Sequence, residues 1–214
     1  YTTSLDEPSR VKQLGLSYRV PLYEWGGSLG LSFTHSDVLG DFGTFTSSGA
    51  GRTLAFNYTH YFQPEGGRRS YLTLGPEDRW YESGQTIAGG VLIPAATVDR
   101  RGRPLSVGYV ARVQGDRSAW GYQAELAWNT GSGSGNSLAA YRTENPGIDT
   151  ASWRAVRLGG HYSHTLGSGW LWSARAQAQL SPYALIAGEQ FGIGGAGSVR
   201  GSAEKIGVSV GEMS

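Results

Sequence analysis

The stretch Ala119-Trp120-Gly121-Tyr122-Gln123-Ala124-Glu125-Leu126-Ala127-Trp128 decides the fold. Trp120, Tyr122, Ala124, Leu126 and Trp128 fall on one parity, and Gly121, Gln123 and Glu125 on the other. Successive side chains of a strand point to opposite faces, so this reads as a strand with one apolar and one polar face. The same beat recurs outward in both directions. Leu14, Leu16, Tyr18 and Val20 alternate with Gln13, Gly15, Ser17 and Arg19. Leu29, Leu31 and Phe33 alternate with Gly30, Ser32 and Thr34, and Leu54, Phe56 and Tyr58 with Thr53, Ala55 and Asn57. Leu105, Val107, Tyr109, Ala111 and Val113 oppose Ser106, Gly108 and Arg112. Val156, Leu158 and Tyr162 oppose Arg157, Gly159 and His161, and Trp170, Trp172, Ala174 and Ala176 oppose Ser173, Arg175 and Gln177. Ser70–Tyr81 is a further candidate, weakened by Pro76, which has no N–H for a ladder.

The connections between these segments alternate in length. Tyr23–Gly27, Gln63–Arg69, Gln114–Ser118 and Gly167–Gly169 are short and turn-like. Asp37–Ala50, Glu82–Arg103, Thr130–Ser152 and everything after Ser181 are long. A bacterial outer-membrane barrel has this pattern, with short periplasmic turns and long outer loops. A soluble β-sandwich gives no reason for so regular a beat, and long structureless loops count against a compact soluble domain. The fold expected is therefore all-β, an antiparallel transmembrane β-barrel.

Composition agrees. The chain has 214 residues, 34 of them glycine, with 12% aromatic and 16% charged residues. Disordered chains are charge-rich and aromatic-poor, so disorder is excluded. The formal net charge of +1 gives no general attraction to nucleic acid. Zero cysteines exclude a disulfide scaffold and a cysteine nucleophile. No run approaches the 18 apolar residues of a membrane-spanning helix, but barrel strands hide their apolar residues at alternate positions. The chain starts at Tyr1 and stops at Ser214 in strand-like sequence, which reads as a piece of a longer protein.

Aromatic residues gather at both ends of the strands. Tyr23, Trp25, Phe62, Trp120, Tyr122, Trp170 and Trp172 sit near the short turns, and Phe33, Trp80, Tyr81, Trp128 and Trp153 near the long loops. Two interfacial girdles would produce this distribution. The polar parity then faces a lumen carrying Arg19, Arg112, Glu125, Arg157 and Arg175, a partly basic interior suited to a water-filled passage. Enzyme motifs are missing. The four histidines are His35, His60, His161 and His164; the last two, three apart in a strand, point to opposite faces and cannot share a metal. Neither H-E-x-x-H nor G-x-S-x-G occurs. No catalytic residue, metal ligand or cofactor is expected.

The segment Glu189-Gln190-Phe191-Gly192-Ile193-Gly194-Gly195-Ala196-Gly197-Ser198-Val199-Arg200-Gly201-Ser202 breaks the alternation. Its glycines allow close backbone approach, and Arg200 offers a charged fork suited to a carboxylate. Two readings stand side by side: a loop folded back into the barrel, or a flexible surface loop.

This segment resembles the signature of outer-membrane translocators of two-partner secretion, the haemolysin secretion/activation protein family. The family pattern runs E-Q-F-x-[IL]-G-G-x-x-S-V-R-G-[YF] followed by a Glu; Ser202 departs from it, and Glu204 supplies the acid. Val20-Pro21-Leu22-Tyr23-x-Trp25-Gly26 also resembles a strand-turn of the family, V-P-L-Y-x-x-G. The resemblance implies a sixteen-stranded barrel of which residues 1–214 are about strands four to twelve, Glu204–Gly211 beginning the twelfth. The loop at about 181–204 would plug the lumen, anchored through Phe191, Gly194, Gly195, Ser198, Val199, Arg200, Gly201 and Glu204. Periplasmic domains and the last strands, with a carboxylate for Arg200, would lie outside this stretch.

The function implied is an export channel in the outer membrane of a Gram-negative bacterium, embedded in lipid as a monomer. It would secrete, or secrete and activate, a large exoprotein such as a haemolysin or adhesin. The exoprotein would cross unfolded through the polar lumen, without nucleotide. The alternatives are a barrel-assembly insertase of the same superfamily, or a passive porin or rim enzyme on a similar barrel.

Overall fold

The computed structural model describes residues 2–3, 12–36, 40–42, 45–47, 51–81, 86–88, 91–93, 99–167 and 169–190. Eight long strands dominate: β1 (Lys12–Leu22), β2 (Gly27–Ser36), β3 (Gly51–Tyr61), β4 (Arg68–Tyr81), β5 (Pro104–Gln114), β6 (Ser118–Asn129), β7 (Arg154–Thr165) and β8 (Leu171–Leu180). Each pairs antiparallel with the next in chain order, and Thr2–Thr3 and Arg100–Gly102 add short pairings to β1 and β4. All eight candidate segments are strands, and the sheet is not closed. Two small hairpins, Gly40–Phe42 with Phe45–Ser47 and Thr86–Ala88 with Val91–Ile93, occupy long connections.

Sequence explains the local breaks. The ladder between β3 and β4 skips Phe56 and Asn57, opposite Pro76 and Gly75. The ladder between β4 and β5 runs on through Pro76 opposite Leu105. The missing N–H therefore belongs to the β3 side, and one paired side suffices to keep this residue in a central strand. Arg100–Gly102 keeps the register of β5 along β4, so Pro104 interrupts what is otherwise one strand. At the first turn, Tyr23–Trp25 form a single 3-10 turn closed by Gly26 at φ +59°, a left-handed conformation that favours glycine.

The faces separate by parity. Leu16, Tyr18, Leu54, Phe56, Leu126 and Leu158 are exposed on one face of the curved sheet. The opposite parity lines a concave trough of about 910 Å³. A closed ladder satisfies the backbone by itself, which leaves one face free to be apolar toward lipid.

The compact apolar core lies at the long-loop end of the concave side. Ala127 and Ala155 are small inward residues, and over them pack Tyr81, Tyr141, Ile148, Trp153, Leu185 and Ile186. Here the structure corrects the girdle expectation for two residues. Tyr81 is 7% exposed and Trp153 is fully buried, both on the concave parity rather than the outer face. Tyr81 shares its parity with Glu77 and Arg79, so it turns inward with them. The short-turn aromatics Tyr23, Trp25, Phe62, Trp120, Tyr122, Trp170 and Trp172 are exposed.

The connection after β6 is ordered rather than a bare loop. It contains α1 (Leu138–Arg142), whose Ser137 cap accepts the Ala140 N–H at 3.3 Å. Asn129 fastens it to the sheet: Oδ1 accepts the Arg103 N–H at 2.7 Å, and Nδ2 lies 2.6 Å from Asn136 Oδ1 and 2.7 Å from the Ala151 carbonyl. Tyr141 Oη lies 2.9 Å from the Arg101 carbonyl and 2.8 Å from Asn136 Oδ1. Burial pushes the Tyr141 hydroxyl above its ordinary value, so it stays protonated and donates.

Candidate functional site: a loop seat on the concave face

The site is built where the chain leaves β8. Residues 181–190 turn back over the trough, ending in a short 3-10 turn at Ala187–Glu189. That turn delivers the Glu189 side chain into the wall, where it has no solvent exposure. Its Oε1 accepts a hydrogen bond from Tyr81 Oη at 2.7 Å. Its Oε2 accepts from Arg79 Nη1 at 2.7 Å and from Arg157 Nη2 at 2.9 Å. The two guanidinium donors on Oε2 are charge-assisted and the tyrosine hydroxyl satisfies Oε1, and together they offset the cost of burying the carboxylate.

Each partner is held in turn. Arg79 Nε also donates to Glu77 Oε2 at 2.9 Å. Arg157 Nη1 donates to Glu125 Oε1 at 3.0 Å, and its Nε to Gln179 Oε1 at 3.2 Å. Gln179 Nε2 donates to the Glu189 carbonyl at 2.9 Å. The donors thus come from β4, β7 and β8, with Glu125 on β6 between them. Alternation alone places these residues inward, since Glu77, Arg79, Glu125, Arg157 and Gln179 all occupy the trough parity. Around the seat two guanidinia meet three carboxylates, all inside the wall.

The returning segment is also held from outside. Glu144, just beyond α1, accepts the Ala187 N–H at 2.5 Å and pairs with Arg100. Leu185 and Ile186 enter the core made by Tyr141, Ile148 and Trp153. Gln190 Nε2 folds back to the Leu185 carbonyl at 2.8 Å. Glycine is required at Gly188, because a Cβ there would meet the Tyr81 ring, and at Gly102 it would come within 3.0 Å of Glu189 Oε1.

Arg19, Arg112, Glu125, Arg157 and Arg175 all line the trough. They do not act as one group. Glu125 and Arg157 belong to the seat, at the long-loop end. Arg19, Arg112 and Arg175 are exposed and nearer the short turns, with no ion pair among the described residues. Phe191, Gly194, Gly195, Ser198, Val199, Arg200, Gly201 and Glu204, with the expected strand at 204–211, lie outside the described residues. Arg79, Tyr81 and Glu189, with Glu77 and Gln179 beside them, are seat residues that sequence reading did not assign to a site. Glu189 opens the quoted motif, but its partners Tyr81 and Arg79 stand 108 and 110 residues earlier.

A family model described as haemolysin secretion/activation protein ShlB/FhaC/HecB matches residues 1–209. No curated protein matches the chain in sequence. Among solved structures the chain is similar to CdiB from Escherichia coli, with a TM-score of 0.66 and 18% identity over 89% of this chain. It covers 34% of that structure's chain, so it spans about a third of the protein it resembles. At this identity the likeness concerns the fold, which is that of a β-barrel wall.

Proposed function

Since this chain belongs to the haemolysin secretion/activation protein family, we propose that it forms the middle part of the wall of an outer-membrane channel that exports a large partner protein. The observation that carries this reading is the seat of Glu189. A segment leaving an outer strand end turns back over the concave face and is fixed inside the wall by Arg79, Tyr81 and Arg157. A loop seated in this way occupies the passage and must be accommodated, or moved, when a polypeptide passes. The residues from Phe191 to Glu204 continue this loop, and Arg200 anchors it further along, on a carboxylate outside residues 1–214.

Transport by this route uses no catalytic residue and no cofactor. The unfolded exoprotein passes along a polar face, where Ser, Thr, Asn and Gln side chains exchange hydrogen bonds with an extended backbone. Arg19, Arg112 and Arg175 give the short-turn half of that face a positive field, which draws acidic segments toward it. The apolar outer parity faces lipid, and the protein resides in the outer membrane of a Gram-negative cell.

The test uses the full-length transporter with its own exoprotein. Arg200→Ala is expected to lower secretion while the barrel still reaches the outer membrane. Neutralising Arg19, Arg112 and Arg175 together is expected to reduce the anion preference of the open channel in planar bilayers. Normal secretion by the first variant would remove the anchoring role of Arg200, and unchanged ion preference in the second would remove the lumenal role of the arginines. Loss of other barrel proteins from the membrane, with secretion intact, would favour the insertase reading instead.

A further inference from the structure

We propose that the outward face of β3 to β7, at the long-loop end, binds the phosphate groups of an anionic lipid. The inference rests on the membrane-barrel reading above and goes beyond it. Four guanidinia share this edge. Arg52 on β3 and Arg101 beside β4 both stand directly opposite Trp80. Their guanidinium carbons lie 5.6 Å and 4.3 Å from the Trp80 ring centroid, one from each side strand. Arg154 on β7 stands directly opposite Trp128 on β6, and Arg103 lies one outward position before Leu105, which also opposes Trp128.

Asp78 is the carboxylate that pairs within this band, and Asp99 shares the parity of Arg101 two residues before it. Asp78 accepts from Arg101 Nε at 2.5 Å, pairs with its Nη2, and lies 3.6 Å from Arg103 Nε. Arg52 and Arg154 are exposed and have no ion pair among the described residues. The band thus holds a surplus of positive charge that the trough does not use. Asp78 and Trp80 fix the forks of Arg101 and Arg52, and a fixed fork suits the paired oxygens of a phosphate.

Position decides between a lipid and an acidic polypeptide. One outward step along each strand leads from a charge to an exposed apolar residue: Arg52 to Leu54, Arg154 to Val156. Two residues of strand cover about 7 Å, the distance from a headgroup to the first acyl carbons. Trp80 and Trp128 stand at that boundary, where indoles settle in membranes. A water-borne acidic chain would have no use for the apolar half of this surface, whereas a lipid has one part for each.

The experiment takes the full-length transporter in neutral detergent and measures co-retained lipid by native mass spectrometry. The probes are diphosphoryl lipid A, its dephosphorylated form, phosphatidylcholine, inorganic phosphate and a poly-glutamate peptide. The protein should retain diphosphoryl lipid A over the other two lipids, and inorganic phosphate at equal concentration should not displace it. The Arg52→Gln and Arg154→Gln double variant should lose affinity by about fivefold for each arginine removed. It should keep its heat-resistant folded band on gels, since both side chains are exposed. Equal retention of the dephosphorylated lipid, unchanged retention by the double variant, or capture of poly-glutamate in preference to lipid would each overturn the proposal. A full-length protein that fractionates away from the outer membrane would overturn the barrel reading as well. One that fractionates with it but shows no phosphate preference overturns this proposal alone.

Discussion

Tyr81 Oη donates to Glu189 Oε1 at 2.7 Å, joining positions 108 residues apart inside the wall. Tyr81 ends the strand that precedes the second long connection, and Glu189 closes the turn that follows β8. The contact brings together an inward strand residue and a loop, and it is the geometric reason the loop returns instead of leaving. Arg79 and Arg157 supply the charge that such a buried carboxylate needs.

Glu189→Ala in the full-length protein should release the loop. It removes the shared acceptor of two largely buried guanidinia, a loss of about 3–5 kcal/mol for a broken buried pair. Limited proteolysis should cut within 181–190 faster than in the parent protein, and basal conductance should rise. Glu189→Gln keeps the shape and one acceptor and should show the same changes more weakly. An unaltered cleavage pattern in the alanine variant would dismiss the seat as the anchor.

Gly188→Ala should produce a similar release without touching any charge. The new Cβ meets the ring of Tyr81, which is packed and cannot swing aside. Overpacking of this kind costs about 1–3 kcal/mol. Gly15→Ala is the control, since nothing lies within 4 Å of a Cβ there. If the two variants gave the same proteolysis rate, the close fit of turn and ring would have no mechanical role.

Ile148→Ala should loosen the folded connection 130–153 and leave the strands alone. Ile148 is fully buried among Tyr141, Trp153 and Ile186, and such a truncation costs about 2–5 kcal/mol. Proteolysis within 130–153 should accelerate, with the heat stability of the folded band on gels unchanged. Because Leu185 and Ile186 share this core, cleavage within 181–190 should rise as well. Faster cutting in the first segment only would separate the outer core from the seat.

The wall was legible because alternation is a local property. Trp120 to Trp128 announces both its strand and its two faces within ten residues, and the same parity carried Arg157 and Glu125 to the trough. Tyr81 and Trp153 were misplaced because aromatic residues near strand ends can close a girdle or fill an interior core, and proximity to a loop does not choose between them. Parity did hold the answer for Tyr81, two steps beyond Arg79 on the same face, but Pro76 had weakened the reading of that strand. The seat itself has no local signature. Arg79, Tyr81 and Arg157 become neighbours of Glu189 through the four successive pairings from β4 to β8, and no spacing in the chain records that meeting. The ordered connection after β6 was hidden for a related reason: Asn129, Asn136 and Tyr141 read as ordinary polar loop residues until their shared hydrogen bonds are seen.

The seat of Glu189 also has a consequence in time. Its donors stand on β4, β7 and β8, with β5 and β6 between them, so no shorter run of strands contains a place for the carboxylate. Contacts that close long stretches of chain form after the local ones that shorten the distance. The loop can dock only when the last of these strands has joined, and docking thereby marks the moment at which this part of the wall is finished.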